Sequence, residues 1–370
     1  MPFNPIYTIT EKILNNLTAI ASAREVIEQA HLVPKWEAKL RRDALVRNTH
    51  SSTAIEGNKL TLEQVKALAE GKDVIATNKD KQEVLNYIEA LEKIPRLAEK
   101  GKFKVADVLN IHRIVTKNVM QDSADSGVFR NRQVFVGKRV FDGTTFKEVV
   151  EYMPPKTEEV PQLVQEFIEW LNLDKTWGLN PVILAGIIHY EIARIHPFID
   201  GNGRTARLVA TLILYLSGFD HRRIFALDDY YDRDRQAYYA ALKTAQQSNG
   251  DITRWLEYFT DGILYSVNEA KGAVLKVGSK RKNGQTQIAL TPRQMKIVEF
   301  INVNGKVTNK DLQRLFNISA QAVHKELVKL VELKVIKPVG EGRALHYILY
   351  SGTVVNWLMI WLMIWLMILR

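Results

Sequence analysis

The run His196-Pro-Phe-Ile-Asp-Gly-Asn-Gly-Arg-Thr-Ala-Arg207 decides how this chain of 370 residues is read. An apolar helical repeat over Val182–Ile195 leads into it, Pro197 forbids simple continuation, and a second apolar helix begins around Thr205. The segment is therefore a loop feeding a helix N-terminus, where free N–H groups and the positive end of the helix dipole form a cradle for anions. Gly201 and Gly203 let phosphate oxygens come close with no Cβ in the way, and Arg204 and Arg207 add cationic forks for further phosphates. Asp200 is the one carboxylate of the loop, the kind of ligand that holds Mg²⁺ against a polyphosphate. His196, at the entrance, is the nearby side chain that accepts a proton at neutral pH. Base, metal ligand, glycine nest and two arginines thus stand in order over 12 positions.

The rest of the chain limits the chemistry. Hydrophobic residues make up 46% and charged residues 25%, ordinary globular values that exclude a disordered chain. With no cysteine, disulfides, thiolate zinc sites, iron–sulfur clusters and cysteine nucleophiles are impossible. Met1–Asn16 lacks the features of a signal peptide, so a cytoplasmic location is expected. Between Lys271 and Tyr350 stand 15 Lys/Arg against 5 Asp/Glu, and the remaining residues balance to zero. A basic segment attached to a neutral body is the footprint of nucleic-acid binding, with a solubilising linker as the alternative.

Helical periodicity dominates the first 270 residues, as in Leu62–Glu70, Gln82–Lys93, Val105–Asn118 and Val160–Leu171. One interruption, Gln133 to Met153, holds two β-rich runs around a Gly/Lys/Asp-rich centre and ends at Pro154-Pro155, which predicts a hairpin flap. Residues 271–287 read as a linker. Beyond it the pattern predicts helices over 292–302 and 309–316, a turn at Asn317, a helix from Ser319 to Lys334 and a basic hairpin over 335–349. That is the order of a winged helix-turn-helix domain over 288–350, a fold that also serves protein contacts. The expected fold class is thus mainly α, with a hairpin flap and a winged helix. Residues 351–370 form an apolar low-complexity tail, with WLMI three times from Trp357; its uncharged run is too short to span a bilayer, and no function is assigned to it.

HPFIDGNGRTAR resembles the Fic-domain signature at every defined position: His196, Phe198, Asp200, Gly201, Asn202, Gly203, Arg204 and Arg207. The likeness extends through most of residues 40–260 and divides the chain into an N-terminal helical region, 1–100, and a catalytic core, 101–270. The resemblance implies a helical Fic fold and AMPylation: transfer of AMP from MgATP to a Ser, Thr or Tyr hydroxyl of a protein, itself included, with release of pyrophosphate. It implies His196 as base, Asp200 as the Mg²⁺ ligand, Asn202 and the glycine backbone on the α- and β-phosphates, Arg204 on the β-phosphate and Arg207 on the γ-phosphate. Phe198 would anchor the loop in the core. A branch of the family that phosphorylates has lysine in place of the second loop glycine, and Gly203 favours AMP transfer here. Another branch transfers phosphocholine.

Upstream, Ser51-Ser-Thr-Ala-Ile-Glu-Gly-Asn58 resembles the family's inhibitory helix pattern at Ser52, Glu56 and Gly57. Ser52 and Glu56, four apart, share a helix face, and Gly57 is a natural stop. The resemblance implies that Glu56 pairs with Arg207 and keeps ATP from its productive pose. Tyr230 or Tyr231 is the expected adenine-stacking residue, and Val134, Phe135 and Val136 belong to the expected target-docking strand. His189 and His196, seven apart, would share a helix side, but no third soft ligand completes a zinc site, so His189 reads as a packed or loop-orienting residue, and His112 reads as structural. Alternatives to a self-inhibited adenylyltransferase are a DNA-binding regulator with a nucleotide-sensing Fic core and an enzyme that removes AMP. The winged helix leaves duplex DNA open as a partner, the family leaves a homodimer open, and no membrane span is expected.

Overall fold

A computed structural model describes residues 3–30, 32–141, 144–220, 222–279 and 290–350. In chain order these form α1 (Glu11–Glu28), α2 (Pro34–Ile55), α3 (Leu62–Ala69), α4 (Asn78–Lys93) and α5 (Val105–Thr116), then the hairpin β1 (Val136–Phe141) and β2 (Phe146–Tyr152). Next come α6 (Val160–Leu171), α7 (Asp174–Trp177), α8 (Pro181–Ile195), α9 (Asn202–Leu216), α10 (Asp228–Arg233), α11 (Arg235–Gln246) and α12 (Thr253–Ser279). The C-terminal part holds α13 (Pro292–Asn304), α14 (Asn309–Phe316), α15 (Ala320–Glu332), β3 (Ile336–Val339) and β4 (His346–Leu349).

Two compact units result. The larger is built from the chain up to Ile27 and from Arg41–Ala273. At its heart lie α8 and α9. Ile187 and Ile188 of α8 and Leu208, Val209 and Leu212 of α9 have no solvent exposure. A helix apolar on nearly all sides is a core helix, so the loop joining α8 to α9 is held at both ends by the best-packed part of the molecule. The N-terminal helices share this compact unit with the core.

The smaller unit joins Glu28–Leu40 to the chain from Val274 onward. Thr291 and Thr308 cap α13 and α14 in capping boxes with Gln294 and Asp311, and Ser319 caps α15. Asn317 makes the left-handed turn between α14 and α15, at φ 51°. The antiparallel β3–β4 pair closes a core of Ile301, Leu312, Leu327, Leu330 and Ile336. Three helices followed by a hairpin is the order of elements read from the sequence. Two boundaries differ from expectation. Val33 lies in this core and Trp36 packs against it, which places residues 28–40 here instead of with the N-terminal region. The linker expected over 271–287 starts as helix, because the apolar period of α12 continues through buried Ala270 and Val274. Its remainder, 280–287, and the tail 351–370 lie outside the described residues.

Candidate active site

α8 ends at His196, which takes a left-handed conformation at φ 50° while its N–H still bonds to the Ile192 carbonyl at 3.0 Å. That reversal turns the chain into the loop. Phe198 is fully buried, and its ring stacks on that of His112 at 3.7 Å between centroids and an interplanar angle of 3°. Asn202 braces the loop from the other side: its Oδ1 accepts from the Phe198 N–H and its Nδ2 donates to the Phe198 carbonyl, both at 2.9 Å. The Asn202 side chain thereby ties the loop to itself, and one Nδ2 hydrogen and the backbone N–H at the start of α9 remain beyond these two bonds. Gly201, at φ 78°, occupies the N-cap of α9, and a Cβ there would also meet Thr116 Cγ2 at 2.8 Å.

His112 sets the loop's position, a role its isolated place in α5 does not announce. Its Nδ1 accepts from the Gly127 N–H at 2.9 Å, so the proton sits on Nε2, which donates to the Asp200 carbonyl at 2.9 Å. Burial pushes its pKa down to about 4. A histidine held neutral in the fold stabilises it above the ordinary imidazole pKa and loses that contribution as pH falls toward its folded value. Stability should therefore drop between pH 6.5 and 4, by up to about 3 kcal/mol from this group. Denaturant titrations of wild type and His112→Gln across that range check this, the variant giving the flatter curve.

Arg130, almost fully buried, was not singled out by sequence. Its Nε donates to the His196 carbonyl at 3.0 Å, its N–H to the Pro197 carbonyl at 2.9 Å, and its Nη1 and Nη2 reach Thr157 Oγ1 and the Pro155 carbonyl at 2.6 and 2.5 Å. It ties the loop to the base of the hairpin, where no sequence spacing links the partners. In the hairpin, β1 begins at Val136, with Val134 and Phe135 ahead of the strand. Val149 and Val150 of β2 are exposed, and neither strand pairs with another among the described residues.

His196, the expected proton acceptor, has a defined tautomer. His196 Nδ1 lies 3.3 Å from the Ala193 carbonyl, an acceptor only, so Nδ1 carries the hydrogen and Nε2 keeps its lone pair. Burial lowers the pKa, against the opposing pull of the Ala193 carbonyl and Glu56. Asp200 Oδ1 accepts from the Gly201 N–H at 2.5 Å; the side chain is 55% exposed, and Oδ2 has no protein partner among the described residues. No group of three or more potential metal ligands converges among those residues. One outward carboxylate suits Mg²⁺, which takes one or two carboxylates and completes its octahedron with phosphate oxygens and water.

Arg204 and Arg207 are both buried. Arg204 lies 3.3 Å from Glu83 and 3.6 Å from Asp200, yet its Nε and Nη1 form no hydrogen bond, and neither does Arg207 Nη1. Buried N–H donors beside a helix N-terminus suit an oxyanion ligand. Arg207 is gripped by α2: Nε donates to Ser52 Oγ at 2.7 Å, and Nη2 donates to the Ser52 carbonyl at 2.9 Å and to Glu56 Oε1 at 2.8 Å. Burial opposes its charge, but Glu56, with Tyr238 and Asp228 behind, raises the pKa well above the ordinary value. Glu56 also occupies the cradle itself, since a Cβ on Gly203 would collide with its Oε1. The structure thus brings Ser52, Glu56, Gly203 and Arg207 together.

It does not bring Tyr231 to the site. That ring is fully buried, stacked on Tyr238 at 4.6 Å in an aromatic core with Tyr258, so it has no face for a base. Tyr230 packs against Tyr258, Tyr265 and the backbone at Gly262, which makes it a helix-packing residue. Tyr239 was missed: it is 44% exposed and donates to the Ile55 carbonyl at 3.3 Å, beside Glu56.

Residues 102–214 match the Fic/DOC family. The chain is therefore a Fic-domain protein. It is 31% identical over 263 residues to a protein adenylyltransferase Fic of Drosophila willistoni, covering 69% of this chain and 47% of that one. It thus spans about half the length of the curated relatives it matches. A crystal structure of a Fic family protein from Desulfovibrio desulfuricans, 26% identical, is similar over 94% of this chain and 98% of that one with a TM-score of 0.62. Residues 134–508 of Fic-1 from C. elegans, 27% identical, give 0.57 over 72% and 74%. Among the described residues no helix is long and apolar enough to cross a membrane.

Proposed function

We propose that this protein is a self-inhibited adenylyltransferase that moves AMP from MgATP to a Ser, Thr or Tyr hydroxyl of a protein, itself included. The observation that carries the reading is the Glu56 carboxylate, lodged against both Arg207 and Gly203 at the N-terminus of α9. An acid in a cradle for anions is a competitor for a phosphate, and it stands next to a histidine with a free Nε2. In the transfer His196 Nε2 takes the hydroxyl proton, the hydroxyl oxygen bonds to the α-phosphorus, and the bond from that phosphorus to the bridging oxygen breaks to release pyrophosphate. The N–H groups of Asn202 and Gly203 and the guanidiniums of Arg204 and Arg207 neutralise the phosphate chain. The names of the relatives support adenylyl transfer over other phosphate chemistry. Incubation with ATP labelled at the α- or at the γ-phosphate tests it: label on protein from the α-position alone supports adenylyl transfer, and label from the γ-position alone contradicts it.

Asp200 would hold Mg²⁺, which when bound neutralises phosphate charge. Asp200→Ala should raise the Mg²⁺ concentration for half-maximal transfer by about tenfold or more, the loss of one charge-assisted ligand. A wild-type Mg²⁺ titration in the variant would remove that assignment. The hairpin is read as the docking element for the target, which would add a strand to a free edge and so present its hydroxyl through backbone bonds.

For the C-terminal unit we infer duplex DNA as partner. The exposed face of α15 carries Gln321, His324, Lys325, Val328 and Lys329, a stripe at helical spacing with basic and amide groups. Residues 290–350 hold ten Lys/Arg against five Asp/Glu, so half of the basic excess of 271–350 is here and half in the segment before. Arg343 lies in the wing. Binding measured by fluorescence anisotropy on the full chain should fall with salt, and Lys325→Ala with Lys329→Ala should reduce the slope of log K against log salt by about 2. No binding at low salt would point to a protein partner.

A further inference from the structure

α2 ends in a Schellman turn. The Gly57 N–H bonds to the Ala54 carbonyl at 2.9 Å and the Asn58 N–H to the Thr53 carbonyl at 3.1 Å, with Gly57 at φ 94°. Glu56 caps the helix immediately before that reversal, so the place of its carboxylate depends on where the turn is fastened. The fastening is Asn58, which is 8% exposed. Its Oδ1 accepts from the Leu60 N–H at 3.1 Å, and its Nδ2 donates to the Asp80 carbonyl and to Glu83 Oε2, each at 3.0 Å. Glu83, on α4, is 7% exposed, and its other oxygen lies 3.3 Å from Arg204 Nη1. One buried carboxylate therefore faces both the end of the helix that carries Glu56 and an arginine of the anion loop. Among the described residues neither Asn58 nor Glu83 bonds to His196, Asp200 or Arg207.

We propose that Asn58 and Glu83 are positioning residues that latch the end of α2 against α4 and thereby hold Glu56 in the cradle. The inference rests on the self-inhibited reading above. A hydrogen bond from an amide to a buried carboxylate is charge-assisted and poorly screened, so it fixes geometry better than a surface contact of the same length. Releasing it lets the turn move, and Glu56 with it, while His196, Asp200 and Arg207, which neither latch residue touches, keep their own partners on the loop side. The link to Arg204 gives the latch a direction of control: a phosphate chain that draws on Arg204 competes with Glu83 for that guanidinium, at the carboxylate that also restrains Glu56.

The test uses the full chain and transfer of α-labelled AMP. Asn58→Asp keeps the acceptor for the Leu60 N–H but sets a second carboxylate against Glu83; it should raise transfer roughly 3- to 10-fold, within the range of local coupling energies. Adding Glu83→Gln supplies an amide at position 83 that donates to the new carboxylate, and should restore most of the inhibition. In the Glu56→Gly background Asn58→Asp should add nothing, because no carboxylate is left to hold. Hydrogen exchange should show the amides of residues 53–58 less protected in Asn58→Asp and protected again in the double variant. If Glu56→Gly raises transfer and Asn58→Asp does not, the latch is wrong while self-inhibition stands. If neither raises it, the reading beneath fails first. Equal loss or equal gain from Asn58→Asp in both backgrounds means general damage to the fold and also overturns the latch.

Discussion

With Glu56→Gly as the active background, replacing His196 by alanine is expected to lower AMP transfer by ~10²–10⁴-fold, the usual cost of losing a general base. Binding of MgATP should change little. The effect follows from the local geometry: the Ala193 carbonyl fixes the proton on Nδ1, and burial holds the pKa below the ordinary imidazole value, so Nε2 stays basic through neutral pH. The acid limb of the pH–rate profile should accordingly lie below pH 6.5. Alanine at a left-handed position costs about 1 kcal/mol of local strain, and His196→Asn, which tolerates that conformation, separates strain from chemistry. Both variants should be equally inactive. Transfer in either variant close to that of Glu56→Gly alone would remove His196 from the mechanism.

The second large effect runs the other way. Glu56→Gly should raise transfer by about 10- to 100-fold, the equivalent of one charge-assisted hydrogen bond of ~1.5–3 kcal/mol lost from the inhibited state. Arg207→Ala should give no rise. Deleting Glu56 frees the guanidinium and empties the space above Gly203, whereas deleting Arg207 removes the group that Glu56 and the phosphate contest. It also strips the buried Asp228 of its nearest cation, 3.9 Å away. Burial already pushes the Asp228 pKa up to about 6, against the pull of Arg207, so its removal should drive that acid further toward the neutral form.

What the sequence made legible was what lies close along the chain. The glycine-rich loop is contiguous, so Pro197, Gly201 and the two arginines announce a helix N-terminus without reference to the fold. Ser52 and Glu56 share a face through helical spacing alone, and the structure places both on Arg207. Reading failed where a side chain's partner comes from another element. Asn202 stands where a phosphate ligand is expected, and its two bonds to the Phe198 backbone could not be read from that position. Arg130 holds the loop from the segment before the hairpin, and nothing in its neighbourhood marks it; His112, read as structural, holds the loop from α5 through partners that its place in the sequence does not name. Tyr231 stands inside a short helix in a polar run, yet its ring is enclosed by Tyr238 and Tyr258. Boundaries failed for a related reason: the basic, glycine-punctuated start of the expected linker masked an apolar period that continues α12, and Val33 finds its core in a unit more than 240 residues away along the chain.

The central claim is that Glu56 denies Arg207 to the phosphate of a nucleotide whose AMP this protein transfers. It is tested most directly by labelling with α-labelled MgATP in parallel for wild type, Glu56→Gly, Arg207→Ala and the double variant. The account predicts strong labelling for Glu56→Gly, weak labelling for wild type, and a double variant indistinguishable from Arg207→Ala. Labelling of the double variant as strong as that of Glu56→Gly would show that Arg207 is not the contested group and would contradict the account.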